Sequence, residues 1–167
     1  MKNLKTLLIV LLILPLFATT VIAQKSSKKM ARDSAQIKAV LALLASKKYT
    51  FVAEYASPSQ GGSVYLTKYF YMDVAPDEIS SLLPFYGAAS SSLESKDIEF
   101  NLKDFDYGST DGNNGNWLVN IKPRDSKDVR EILLVVNADG SANLSVVSNN
   151  KQRMTFIGNI AENESKN

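Results

Sequence analysis

Hydrophobic residues recur with helical spacing in the segment before Tyr49. Four apolar side chains follow one another at i, i+3, i+4 and i+7 and share one helix face: Ile37, Val40, Leu41 and Leu44. Asp33 or Ser34 is available to cap the first turn. The pattern predicts an amphipathic helix between Asp33 and Ser46.

After Tyr49 the hydrophobic period changes to two residues, which is typical of strands with one wet face. The alternation is clearest at Ile98, Phe100 and Leu102, whose neighbours are all polar. Turn residues separate the strands, most clearly at Asp139-Gly140. Seven strands are predicted, at about 50–56, 63–74, 97–105, 116–122, 129–137, 141–148 and 153–160.

Two connections carry their own patterns. Pro76, followed by two acidic residues, predicts a single helical turn that stops before Pro84. The polar segment from Tyr107 to Gly115 predicts a long loop.

The predicted fold class is mostly β. An N-terminal amphipathic helix is followed by a seven-stranded antiparallel meander, because short turns join successive strands. A sheet of seven strands tends to curl. We therefore expect a small barrel or a strongly curved sheet, with the helix packed on it or plugging it. The alternative is an α+β protein with an open antiparallel sheet.

The first 23 residues have the order of a signal peptide: a basic start, an apolar run from Leu7 to Phe17, and small residues around a cut between Ala23 and Gln24. The apolar run is short for a membrane span and contains Pro15. A lipoprotein needs a cysteine after the cut, and the chain has none. We expect a cleaved signal peptide (1–23), a polar leader (24–33), one β-rich domain (34–160) and a polar tail (161–167).

Removal of the predicted signal peptide would change the net charge of the protein. The chain has 19 basic and 17 acidic residues, and the signal peptide contains Lys2 and Lys5 and no acid, so 19 − 2 leaves 17 of each. A neutral mature protein gives no reason to expect nucleic acid as a partner. We expect a soluble periplasmic or extracellular protein without stable membrane insertion after cleavage.

Several short segments resemble a secreted Bacteroides-type family known as domain of unknown function 4251. They are Leu83-Pro84-Phe85-Tyr86-Gly87, Ser148 to Arg153 with Gly158 after it, the helix followed by Phe51 and Pro58, and Asp139 to Ala142. The resemblance covers most of residues 35–160. It implies a Gram-negative cell envelope or periplasmic setting, a β-rich, lipocalin-like fold and no known activity.

Histidine and cysteine are both missing, which removes the usual general base, the thiol nucleophile and the commonest zinc ligands. Carboxylate pairs remain, as glycosidases require: Asp97 with Glu99, and Asp104 with Asp106. Such spacing is also typical of a solvated strand face. We therefore predict no catalytic residue and no cofactor.

The segment 106–115 is rich in oxygen ligands, but its spacing does not match a calcium loop: Gly108 falls at position 3 and Trp117 at position 12. We therefore predict no metal site and a hairpin loop in this segment.

Aromatic and polar residues give the candidate ligand site. Aromatic faces bind sugars or lipid tails, and a donor cluster suits a carboxylate; the same residue types also serve in cores and turns. The candidates are Tyr65, Tyr69, Tyr71, Phe85, Tyr86, Asn149, Gln152 and Arg153.

Two functions follow from these residues. The first is a non-catalytic periplasmic or cell-surface binding module for a small apolar or glycan ligand, or for an envelope protein. The alternative is a carboxylate-dependent enzyme acting on glycans. Separately, Asp33-Ser34-Ala35 resembles the O-glycosylation acceptor of Bacteroides-type exported proteins, which makes Ser34 a candidate site, although a helix cap uses the same residues.

Overall fold

The computed structural model describes residues 18–87, 97–112 and 115–163, with side chains from residue 32 onward. Most of the predicted signal peptide and the last four residues of the predicted tail lie outside these ranges. The chain divides between Gln36 and Ile37 into two units, and the sheet belongs to the second.

The helix, α1, spans Ala18–Ser46. It begins well before the predicted start, so Asp33 and Ser34 lie inside it and do not cap it. From Ile37 onward it belongs to the unit that contains the sheet. Its buried stripe is narrower than predicted, because Val40 and Leu44 join the core while Leu41 is 41% exposed. Within the described ranges, no helix combines the length and the apolar character of a membrane span.

The described residues form nine antiparallel strands in one sheet. They are β1 Tyr49–Pro58, β2 Val64–Val74, β3 Ile79–Leu83, β4 Ile98–Leu102, β5 Phe105–Asp111, β6 Trp117–Pro123, β7 Val129–Val136, β8 Ser141–Ser148 and β9 Met154–Glu162. The strand order is β4-β3-β2-β1-β9-β8-β7-β6-β5. Sequence neighbours therefore pair throughout except between β4 and β5, and the pairing of β1 with β9 makes the sheet a nearly closed, barrel-like meander. The mostly β class and the curved architecture are confirmed; the count of seven strands is wrong.

The predicted helical turn at Pro76 is instead a tight hairpin connection followed by β3. The Ala75 N–H donates to the Glu78 carbonyl across the turn (2.8 Å). Alternate residues of β3, such as Ile79 and Leu83, are buried, so the period is two and not 3.6. Pro76 here occupies a turn position, where its fixed φ is equally suitable.

The predicted strand 97–105 is really two strands. Leu102 and Phe105 both pack toward the core, and a strand alternates its faces with every residue, so the chain must leave the sheet between them. The Asp125 carboxylate accepts the N–H groups of Lys103 and Asp104 at this break (3.1 and 3.2 Å). These backbone bonds, above all the one from Lys103, lower the pKa of Asp125.

The predicted loop 107–115 is mostly strand. Because the segment is polar, its sequence alone did not indicate β5. The strand forms because it pairs residue by residue with β6, from Phe105 with Pro123 to Asp111 with Trp117. After β5, the Gly112 N–H donates a hydrogen bond to the Asn116 carbonyl (2.9 Å), just before β6 begins.

The interior of the sheet is filled with side chains. Among the largest fully buried ones are Phe51, Phe156, Met72 and Leu134. The hydroxyls of Tyr49 on β1 and Tyr107 on β5 lie 3.2 Å apart. These strands are five positions apart in the sheet, so the contact shows how far the sheet curls.

Burial of this tyrosine pair predicts sensitivity to alkali. Burial raises the pKa of both Tyr49 and Tyr107 above the usual value. Above about pH 10 the unfolded chain loses tyrosine protons that the folded chain still holds, so the free energy of unfolding falls as pH rises. Urea unfolding between pH 8 and 11.5 should show this fall, and Tyr49→Phe should make it shallower. Equal slopes for the two proteins would contradict the prediction.

Candidate functional site

The site we consider is a cleft on the outer face of the sheet, where β2, β1 and β9 lie side by side. Thr50 and Val52 of β1 point into it, since they alternate with the inward Phe51 and Ala53. The cleft has a volume of about 730 Å³, within the range typical of small-molecule sites. Its lining residues are Thr50, Val52, Tyr69, Tyr71, Asp73, Ala161, Glu162 and Asn163.

Two tyrosines form the aromatic wall of the cleft. Tyr69 and Tyr71 are two residues apart on β2, so both point outward. Their rings stack with centroids 5.5 Å apart and planes inclined by 29°. Tyr69 is largely exposed and Tyr71 half-buried. The pair therefore provides aromatic surface at the wall of the cleft.

Carboxylates supply the polar part of the cleft. Asp73 follows the tyrosines on the outer face of β2, and the buried Thr50 hydroxyl donates a hydrogen bond to its carboxylate. Register places Thr50 directly opposite both Asp73 and Ala161. Glu162, the last residue of β9, also lines the cleft. No lysine or arginine is among the described residues that line it.

A second, smaller cleft of about 510 Å³ adjoins the first. It lies between the end of α1 and the end of β9, and Lys48 is its basic residue. Glu162 and Asn163 line both clefts. The two depressions are therefore neighbours that share a border at Glu162.

The predicted aromatic candidates separate in space. Tyr69 and Tyr71 line the cleft, whereas Tyr65 lies outside it and packs edge-on against Tyr55 with centroids 5.3 Å apart. Phe85 is buried in the core, with the Lys151 ammonium 5.2 Å from its ring centroid. Tyr86 is exposed. Only two of the five aromatic candidates therefore share one cleft.

The predicted donor cluster consists of Asn149, Gln152 and Arg153. These residues lie just before the start of β9, whereas the cleft is at the end of that strand. Asn149 donates its side-chain amide to the Lys127 carbonyl (2.7 Å). The Gln152 side chain lies against Gly87, and Arg153 is exposed, with its carbonyl accepting the Ser59 hydroxyl (3.0 Å). None of the three is a lining residue of either described cleft.

The carboxylate pairs singled out in the sequence lie elsewhere. Asp104 and Asp106 both form ion pairs with Arg124, whose pKa is raised chiefly by Asp106. Asp97 and Glu99 are exposed at β4. Within residues 18–87, 97–112 and 115–163, no cluster of three or more acidic residues could hold a metal ion. Ser34 is exposed on α1, and its glycosylation stays a prediction.

Sequence reasoning missed the polar half of the cleft. Thr50 and Asp73 occupy outward positions of predicted strands, so the alternation of strand faces could have identified them. Glu162 could not be found in this way, because only the non-local pairing of β1 with β9 brings it to the start of β1, opposite Tyr49.

Comparison with known proteins agrees with the fold. Residues 31–160 match the family model described as "Domain of unknown function (DUF4251)". The structure is similar to the crystal structure of a DUF4251 family protein from Bacteroides eggerthii, with a TM-score of 0.59 and 16% identity over 79% of this chain and 91% of that chain. At that identity the likeness establishes the fold alone. No curated protein matches the sequence.

Proposed function

The chain belongs to the DUF4251 family, and we propose that it is a non-catalytic binding module of the cell envelope that holds a glycan in the outer cleft. The observation that carries the proposal is the stacked pair Tyr69 and Tyr71 beside hydrogen-bonding side chains. A sugar ring presents a flat apolar face and a rim of hydroxyls, so it matches an aromatic surface flanked by acceptors.

The filled interior supports an outer site. Lipocalin-like barrels hold their ligand inside, and the up-and-down strand order agrees with that architecture. Here the inward positions of the described strands are closely packed, with side chains such as Phe51 and Phe156 fully buried. A ligand is therefore better placed on the outer face than within the barrel.

The envelope setting is part of the proposal. It rests on the predicted signal peptide with its cut between Ala23 and Gln24. N-terminal sequencing of the protein from a periplasmic fraction should give Gln24 as the first residue. Recovery of intact precursor from the cytosol would contradict export.

Two tyrosines of β2 provide a matched test of glycan binding. Tyr69 and Tyr65 are 64% and 65% exposed, yet only Tyr69 lines the cleft. A glycan that raises the melting temperature of the protein should bind at least about tenfold more weakly to Tyr69→Ala, as expected for the loss of an aromatic anchor. Tyr65→Ala should bind as the wild type does.

Calorimetric titration of the three proteins measures the difference. Equal affinity in all three, or no binding of any oligosaccharide in the screen, would contradict the proposed function. If a lipid raised the melting temperature of the wild type and not that of Tyr69→Ala, the ligand of the cleft would be apolar and not a glycan.

The alternative, a carboxylate-dependent enzyme acting on glycans, is favoured by one observation. Asp73 and Glu162 line the same cleft, and glycoside hydrolysis uses two carboxyl groups. Prolonged incubation with oligosaccharides should release no reducing ends if the module only binds. Hydrolysis that disappears in both Asp73→Asn and Glu162→Gln would establish the enzyme instead.

A further inference from the structure

The charge of the cleft narrows the class of ligand. Asp73 and Glu162 are its ionisable acids, and the described lining contains no base. An anionic sugar would bring like charge beside two carboxylates, which is unfavourable. We propose that the ligand is a glycan chain carrying protonated amines, an inference that rests on the proposed function and specifies its substrate class.

The aromatic wall favours the same charge. Tyrosine rings carry negative potential on their faces, so a cation held against them is attracted as well as packed. In the cleft the stacked Tyr69 and Tyr71 adjoin Asp73 on one strand. A protonated amino sugar can therefore place its apolar ring face on the tyrosines and its ammonium group against a carboxylate.

The carboxylate of Asp73 is already oriented for such a contact. The Thr50 hydroxyl, itself buried, donates to one of its oxygens. A carboxylate has room for further donors after that bond, and an ammonium group carries three. Holding the acceptor in place reduces the ordering that binding requires.

The adjoining cleft gives space for a ligand of several linked sugars. Glu162 lies on the border between the two clefts, so a ligand bound against it can continue toward the end of α1. There Lys48 replaces the acids as the charged residue. We expect the amine-bearing sugars to occupy the tyrosine cleft and the next sugars of the chain to extend beyond Glu162.

Two oligosaccharides with the same backbone test the inference. The tetramer of β-1,4-linked glucosamine and its fully N-acetylated counterpart differ in whether each sugar carries an amine or an acetamide. In calorimetric titration at a pH where the amines are protonated, the amine tetramer should bind at least about tenfold more tightly. The preference should shrink with added salt, as for exposed charges.

A charge-neutralising variant identifies the residues responsible. Glu162→Gln should reduce the preference for the amine tetramer over the acetylated tetramer by about fivefold or more, because it removes the charge and keeps a hydrogen-bonding side chain. Asp128→Asn removes the same charge from an exposed turn at the other end of β9. It should preserve the preference fully.

The outcomes separate this inference from the proposed function. Equal or reversed affinity for the two tetramers, with binding still dependent on Tyr69, overturns the amine ligand and leaves a glycan-binding module. A preference that Asp128→Asn reduces as much as Glu162→Gln overturns the placement in the cleft. Failure of every oligosaccharide to bind overturns both.

Discussion

Replacing Gly158 with alanine should destabilise the protein more than any other single methyl addition at a strand glycine. A Cβ at this position would lie 1.9 Å from the Val52 carbonyl oxygen and 3.1 Å from the Ala53 Cα. Both are backbone atoms of β1, which β9 holds in its ladder, so neither can move without breaking hydrogen bonds. We expect a loss of about 3 kcal/mol or more in the free energy of unfolding.

The close approach has a local cause. β1 contains a bulge at Glu54, where two residues on β1 advance the pairing by only one on β9. The bulge brings the β1 backbone over Gly158 and reverses the alternation of faces, so that Ala53 and Ala56 both point inward. A side chain at residue 158 has no space beneath this bulge.

Gly108 gives the matched control for this substitution. It also lies inside a strand, and the nearest atom to its added Cβ is the Asn120 carbonyl oxygen at 3.9 Å, which is ordinary contact. Gly108→Ala should change stability by no more than about 0.5 kcal/mol. Urea unfolding followed by circular dichroism measures both variants, and a Gly158→Ala protein as stable as Gly108→Ala would refute the account of the β1–β9 contact.

Phe156→Ala should cost about 3–5 kcal/mol, because it removes a fully buried ring and leaves a cavity. Phe156 lies on β9 opposite Leu144 on one side and Ala56 on the other, so its ring fills the middle of the interior. A loss of that size is a large fraction of the 5–15 kcal/mol typical of a native protein.

The next residue along the strand provides the control. Ile157 points outward and is 44% exposed. Ile157→Ala should cost about 1 kcal/mol or less in the free energy of unfolding. The midpoints of urea unfolding, at equal m-values, compare the two. If Ile157→Ala is as costly as Phe156→Ala, the assignment of inner and outer faces on β9 is wrong.

Local patterns predicted much of the fold. Strong alternation located β6, β8 and most of β9, and the Asp139-Gly140 turn is confirmed by the positive φ of Gly140 between β7 and β8. The family resemblance is also confirmed. Two of its residues have clear structural roles, since Phe85 is buried and Gly158 admits the β1 backbone.

The errors occurred where pairing outweighs local preference. Proline and acidic residues favoured a helical turn at Pro76, but Ile79 to Leu83 can bury its alternate side chains only as a strand between β2 and β4. Phe105 to Asp111 is too polar to be recognised alone and is extended by its contact with β6. Sequence patterns describe single segments, whereas these strands depend on their neighbours.

The candidate site was found only in part for the same reason. Tyr69 and Tyr71 are close in sequence, and their shared strand face was readable. Their polar companions come from β1 and from the end of β9, which join β2 only in the folded sheet. The other predicted ligand residues serve the core, as Phe85 does, or connect turns, as Asn149 does.

Mapping the ligand contact by NMR tests the central claim most directly. In ¹⁵N-labelled protein titrated with the glucosamine tetramer, we predict that the largest amide shift changes cluster at the cleft: Thr50, Val52, Tyr69, Tyr71, Asp73 and Glu162. Residues of the turn from Ser148 to Arg153 should be unaffected. Shift changes centred on that turn, or on the barrel interior, would contradict a binding site on the outer face.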